Sequence, residues 1–197
     1  MDERGPLTGE PLALDLVNTR PAGPDGRRTD LIATPELLAA WLSLEADRLP
    51  AEARGSATAA DLAALHAVRA DTGAVVDALL EGAAPPRAAL AGLNAAQRAA
   101  PPVRELHRDG TGVRAVTCRT GPAGAVLAAV FAEAAVDLVT GPGAAGIKRC
   151  EAEGCVMLFL PAHPRRRWCS PARCGNRARV ARYYRRHRAA QAGSEPS

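Results

Sequence analysis

Four of the five cysteines lie close together near the carboxy-terminal end, at Cys150, Cys155, Cys169 and Cys174. Their spacing is a C-x4-C pair, thirteen residues, and a second C-x4-C pair. Two thiolates separated by a short turn can approach one side of a metal ion, and two such pairs complete a tetrahedral sulfur site with bonds of about 2.3 Å. In a reducing compartment this pairing favours one structural Zn2+, and the competing reading is two disulfides or four unrelated cysteines. Size argues the same way. The apolar inventory around the cysteines is limited to Val156–Leu160, Trp168, Val180, Tyr183 and Tyr184. A segment of about 40 residues buries too little core to fold unaided, and metal binding supplies the missing free energy.

The same segment carries most of the positive charge. The chain has a net charge of +4, but residues 1–147 hold 13 arginines against 18 acids, while residues 148–188 hold 12 basic residues against Glu151 and Glu153. An acidic body joined to a basic end is the asymmetry expected of a regulator or adaptor with a polyanion-binding terminus. The candidate nucleic-acid contacts are Arg165, Arg166, Arg167, Arg173, Arg177, Arg179, Arg182, Arg185 and Arg186. Six such arginines on duplex phosphates would give a log-log salt slope of roughly −5. The competing reading is a solvated basic helix docked on the acidic body. Tyr183 and Tyr184 are adjacent, about 100° apart on a helix, so at least one is expected to be buried, which weighs against base stacking.

The elements that must position these groups are partly readable. Residues 140–146, Thr-Gly-Pro-Gly-Ala-Ala-Gly, are breaker-rich and separate two modules. The expected organisation is a helical domain over 1–140, a linker over 141–147, a finger over 148–190 and a flexible tail over 191–197. In the finger, Cys150–Cys155 forms a knuckle. Val156–Leu160 is then expected to pair with Arg165–Cys169 across the turn at Pro161–Pro164. Ser170-Pro171 opens a helix running to about Ala190 with Cys174 in its first turn. Knuckle, hairpin and helix make a treble-clef-like finger. In the body, Thr34-Pro35 opens one helix, and Thr58 with Asp61 approximates a capping box for another over 59–81, striped by Leu62, Leu65, Val68, Val76 and Leu79. A third helix begins near Pro86. Val103–Arg108 and Val113–Arg119 flank a glycine-bearing turn and read as a hairpin, and residues 124–139 return to helix. The fold class is mainly α with a small β-hairpin.

Alanine supplies 44 of the 197 residues and Lys148 is the only lysine, a bias that fits a GC-rich bacterial genome. It raises helix propensity everywhere and blurs the periodicity that marks a buried face. The uncharged runs are shorter than the roughly 20 apolar residues of a membrane span. The opening MDERGPLTGE is acidic where a secretory signal is basic, so a cytoplasmic protein without a membrane partner is expected.

Catalytic signatures are missing: there is no phosphate-cradling glycine loop, nucleophile elbow or metalloprotease motif, so the chain is not expected to be an enzyme. His66 and His107 have no partner at ligand spacing, and Cys118 reads as a strand residue. Asp15, Asn18, Trp41 and Arg69 form a candidate pocket, with Asp15, Asn18 and Thr19 near an expected strand-to-loop junction. An aromatic face and a guanidinium there would suit a small anionic or aromatic ligand. The alternative makes the same residues caps, core and ion pairs.

Arg165-Arg-Arg-Trp-Cys-Ser-Pro-Ala-Arg-Cys-Gly-Asn-Arg177 closely resembles the CGNR zinc-finger family, named for the residues that stand here at Cys174, Gly175, Asn176 and Arg177. Cys150, Cys155 and Phe159 fit its pattern, whereas Pro161 stands where the family commonly has an acid. Gly9-Glu-Pro-Leu-Ala-Leu-Asp-Leu-Val-Asn-Thr19 is similar to the opening signature of the ABATE domain, which precedes that finger in proteins described as stress-induced transcription regulators. Trp41 and Arg69 fall where that domain has its Trp and Arg. The resemblance implies a zinc-dependent regulator whose finger binds DNA and whose body senses a small-molecule effector or mediates assembly, for instance as a homodimer. The second reading is an RNA-binding or protein-interaction adaptor with a structural zinc.

Overall fold

The computed structural model describes residues 5–23, 26–54 and 57–192, with the side chains of Glu52 and of 188–192 set aside. Helix α1, Leu12–Val17, occupies the segment expected to end a strand. The Asp15 carboxylate turns back to accept the N–H groups of Gly9 and Glu10 at 2.9 and 3.2 Å, which closes a helical turn, while Leu14 and Leu16 are fully buried. Helix α2, Pro35–Leu44, begins as its sequence predicts, with the Thr34 side chain accepting from the Leu37 N–H. Helix α3, Ala59–Leu80, carries the full capping box: Thr58 accepts from the Asp61 N–H, and Asp61 accepts from the Thr58 N–H. Its buried stripe includes Leu65, Val68, Thr72, Val75 and Val76, whereas Leu79 faces solvent.

Helix α4, Arg87–Ala99, leads to a hairpin of β1, Val103–Asp109, and β2, Gly112–Cys118. Gly110, at φ 60°, takes the left-handed position of the two-residue turn. Both faces of the ribbon are largely exposed, and its base is held by Arg119, which donates to the Ala100 carbonyl and pairs with Glu133. Helix α5, Ala123–Thr140, is the centre of the body and packs on α1, α3 and α4. By length and composition α5 is apolar enough to cross a membrane, yet Phe131, Ala132 and Ala135 are fully buried among the other helices. Trp41 lies 5.4 Å from Phe131, ring to ring, in the same core. Gly124 lets α5 approach the start of α3 closely: a Cβ there would fall 2.6 Å from the Asp61 carboxylate.

The finger strands pair differently from expectation. β3, Lys148–Arg149, runs antiparallel to β4, Leu158–Phe159, so the ladder closes around the knuckle. Arg165–Cys169 is not a strand; its backbone tie to the knuckle is the Glu151 N–H donating to the Arg167 carbonyl at 3.0 Å. Side chains alternate along β4 and its flanks. Met157 and Phe159 enter the finger's cysteine-lined core, whereas Leu158 and Leu160 pack with the helical body. Two cores therefore share one short strand. Ile147, within the segment expected to be a linker, also belongs to the body's core.

A buried acid pair sits beside α1. Arg48 bridges Asp15 at 2.6 Å and Glu45 at 2.7 Å, and Glu45, 1% exposed, keeps its Oε1 atom without a hydrogen-bond partner. Burial, reinforced by the charge of Asp15, pushes the Glu45 carboxyl up to about 7, with Arg48 pulling the other way. A carboxyl raised in the folded state above its ordinary 4.5 favours folding when protonated, and that stability is lost as pH rises toward 7. The thermal midpoint should therefore fall between pH 5 and pH 8, while Glu45→Gln should flatten the profile and gain about 2 kcal/mol at pH 8. Parallel pH profiles for the two proteins would refute this.

Candidate zinc centre and basic helix

The four cysteine sulfurs lie within 4.8 Å of one another. Three of the separations are 3.5 Å for Cys169–Cys174, 3.6 Å for Cys155–Cys174 and 3.9 Å for Cys155–Cys169. A tetrahedron with Zn–S bonds of about 2.3 Å has edges of about 3.8 Å. The donor set fits one Zn2+, and no disulfide joins any of these residues. Crowded sulfurs also need a cation: four thiolates within 4.8 Å of one another repel, and a bound metal ion offsets that repulsion.

Each ligand is placed by local chemistry. The knuckle turn closes through the Cys155 N–H on the Ala152 carbonyl, with Gly154 at φ 70°, a value costly for any residue with a Cβ. The Cys169 N–H donates to the Cys150 sulfur at 3.3 Å, and the Arg177 guanidinium reaches the Cys174 sulfur at 3.6 Å; both moderate the negative charge of a thiolate cluster. Ser170 caps the wide turn Pro171–Gly175 by accepting from the Arg173 N–H, which brings Cys174 inward. From that turn runs α6, Asn176–Ala192.

The finger is seated on the body by polar side chains from the amino-terminal motif. Asn18 donates through Nδ2 to the Leu158 carbonyl and accepts through Oδ1 from the Leu158 N–H, each at 2.8 Å and buried. Glu10 accepts from the Leu160 N–H at 2.9 Å and pairs with Arg166. Arg166 also donates to the Trp168 and Cys169 carbonyls and covers the Phe159 ring at 4.6 Å. Arg173 donates to the Gly5 carbonyl at 2.7 Å.

This arrangement agrees with the comparisons. The ABATE family, described as "Putative stress-induced transcription regulator", matches residues 10–142. The chain belongs to the ABATE family. The CGNR zinc finger matches residues 147–187, which contain all four sulfur ligands. No curated protein matches the chain.

Within the ABATE domain, the four residues nominated as a pocket are not brought together. Trp41 is core, and Asp15 is buried against Arg48. Asn18 holds β4. Arg69 grips Asp30, at 2.7 Å for one arm of a two-pronged pair, and donates to the Thr19 hydroxyl at 2.9 Å. Burial opposes the charge of Asp30, but Arg69 outweighs it and holds that carboxyl below its ordinary range. Asn18 and Arg69 do border a cleft of about 630 Å3 between α3 and the CGNR knuckle.

The nominated arginines divide into two groups. Arg166 and Arg173 are committed to the seat, Arg167 pairs with Glu151, and Arg177 touches the zinc centre. Arg165, Arg179, Arg182, Arg185 and Arg186 are exposed, and their side chains have no acidic partner among the described residues. The expectation of a buried tyrosine fails: Tyr183 and Tyr184 are 53% and 61% exposed, and neither ring enters the finger's core. Sequence reasoning also missed Glu10 as a finger contact and the approach of Glu105, His107 and Cys118 on the hairpin. The first pairing spans about 150 residues; in the second, Glu105 and His107 are two apart on one strand, but the approach of Cys118 depends on strand register.

Asn18→Ala would leave both Leu158 backbone groups buried and unpaired. We expect a loss of about 2–4 kcal/mol and faster proteolysis of the finger, with zinc content unchanged. An unaltered thermal midpoint would remove Asn18 from the seat.

Proposed function

We propose that the chain is a non-catalytic transcription regulator of the cytoplasm that binds duplex DNA through α6. The observation that carries the reading is the exposed helix itself. Arg179, Arg182 and Arg186 recur at i, i+3 and i+7 and so share one face, with Arg185 beside them. An exposed arginine face of this kind fits a major groove about 12 Å wide, where arginine can read guanine. Five phosphate contacts from Arg165 and the four α6 arginines would give a log-log salt slope of roughly −4.5.

A second reading is favoured by one observation. Tyr183 and Tyr184 are both exposed on α6, so base stacking is open to them, and single-stranded RNA becomes the competitor. Titrating zinc-loaded protein against random duplex DNA and single-stranded RNA over a range of salt separates the two. The DNA reading requires tighter duplex binding and a slope reduced by about 2 in Arg182→Ala/Arg186→Ala. It fails if RNA is preferred, or if the double variant keeps the wild-type slope.

The cleft beside the finger supplies a place for effector sensing. Arg20 and Arg28 line it, and their side chains have no hydrogen bond or ion pair among the described residues; Arg69 and Arg149 are already matched by Asp30 and Asp77. That imbalance suits a small anion, and a ligand spanning α3 and the knuckle would bear on the finger's seat. Inorganic phosphate, used as a probe at constant ionic strength, should raise the thermal midpoint saturably in the wild type and leave Arg20→Ala/Arg28→Ala unmoved. Equal shifts in both proteins would remove the cleft as the anion site.

A further inference from the structure

The β1–β2 hairpin holds three metal-binding side chains of different chemistry that the zinc finger does not use. Glu105 and His107 are two residues apart on β1 and project to one side. Cys118, paired with Val103 at the open end of the ladder, lies on that side of β2. The three donor groups, a carboxylate oxygen, an imidazole nitrogen and a sulfur, all lie within 4.8 Å of one another, and Glu105 Oε2 is 3.6 Å from His107 Nε2. Donors around a tetrahedral zinc, with bonds of about 2.0–2.3 Å, are separated by about 3.3–3.8 Å, so the observed cluster needs only side-chain rotation to close on an ion.

We propose that Glu105, His107 and Cys118 form a second Zn2+ site, independent of the finger, with three protein donors and a fourth position open to water. The donor chemistry selects the ion: sulfur with imidazole suits zinc, whereas calcium and magnesium require an oxygen shell. A mechanical argument runs in parallel. Leu106 and Val113 are 78% and 74% exposed, and a two-stranded ribbon with both faces in water is marginal by itself. An ion joining β1 to β2 would brace it near its base. Binding converts the Cys118 thiol to a thiolate, its proton passing to the buffer, and uses His107 in its neutral form, so affinity rises with pH. Exposure of Glu105 and His107 makes the site exchangeable, unlike the four-sulfur centre, three of whose cysteines are buried.

The test uses the full chain with its finger already loaded. Equilibrium dialysis against micromolar free zinc should give two ions per wild-type chain and one for Cys118→Ser or His107→Gln. Far-ultraviolet circular dichroism and one retained zinc confirm that each variant stays folded. Cobalt(II) added to the zinc-loaded protein should produce thiolate-to-metal absorption that is lost in Cys118→Ser. A single zinc in the wild type, or the same second equivalent in both variants, would overturn the proposal.

Discussion

The rest of the structure depends on how Asn18 holds the backbone of Leu158. A strand of two residues cannot build a domain interface by itself, yet β4 serves two cores at once, with Phe159 facing the sulfur cluster and Leu158 facing the helices. That double use works only if the strand cannot rotate. The Asn18 amide fixes it by filling both hydrogen-bonding groups of Leu158, which would otherwise be buried and unpaired. Glu10 repeats the device two residues further on at Leu160. The amino-terminal motif is thus a clasp for the finger, and its polar residues are explained by backbone groups they must satisfy.

The clasp also orders the positive charge. Arg166 and Arg173 are drawn into the seat, where they replace backbone and carboxylate hydration. Arg179, Arg182, Arg185 and Arg186 project from α6, past the sulfur cluster. Zinc stabilises the turn from which that helix starts, and the body holds the strand on the other side of the same turn. A polyanion that meets α6 therefore meets a helix anchored at one end to two cores, and the cleft between α3 and the knuckle lies against the same seam.

Much of this was legible in the chain because the relevant signals are local. The Thr34 and Thr58 caps, the Gly110 turn and the paired cysteines act over a few residues, and their positions show in the structure. What was hidden is long-range. An Asp-Leu-Val-Asn-Thr run looks like a pocket edge until its partner, well over a hundred residues away, is known. Alanine richness concealed which face of α5 is buried. The finger's strand pairing was misread because Lys148–Arg149 is too short and too charged to advertise β structure, and its ladder is set by the knuckle rather than by propensity. Both tyrosines are exposed and neither ring enters the finger's core, a fact about tertiary placement that adjacency on a helix cannot encode.

The central claim is that finger and body are one mechanical unit joined at β4. Hydrogen exchange along the whole chain, compared between the zinc-loaded and chelated protein, tests it most directly. The account predicts that removing zinc strips protection from the finger and also from α1, at Leu14 to Asn18, because the clasp loses its strand. Loss confined to residues 148–192, with α1 as protected as before, would contradict it.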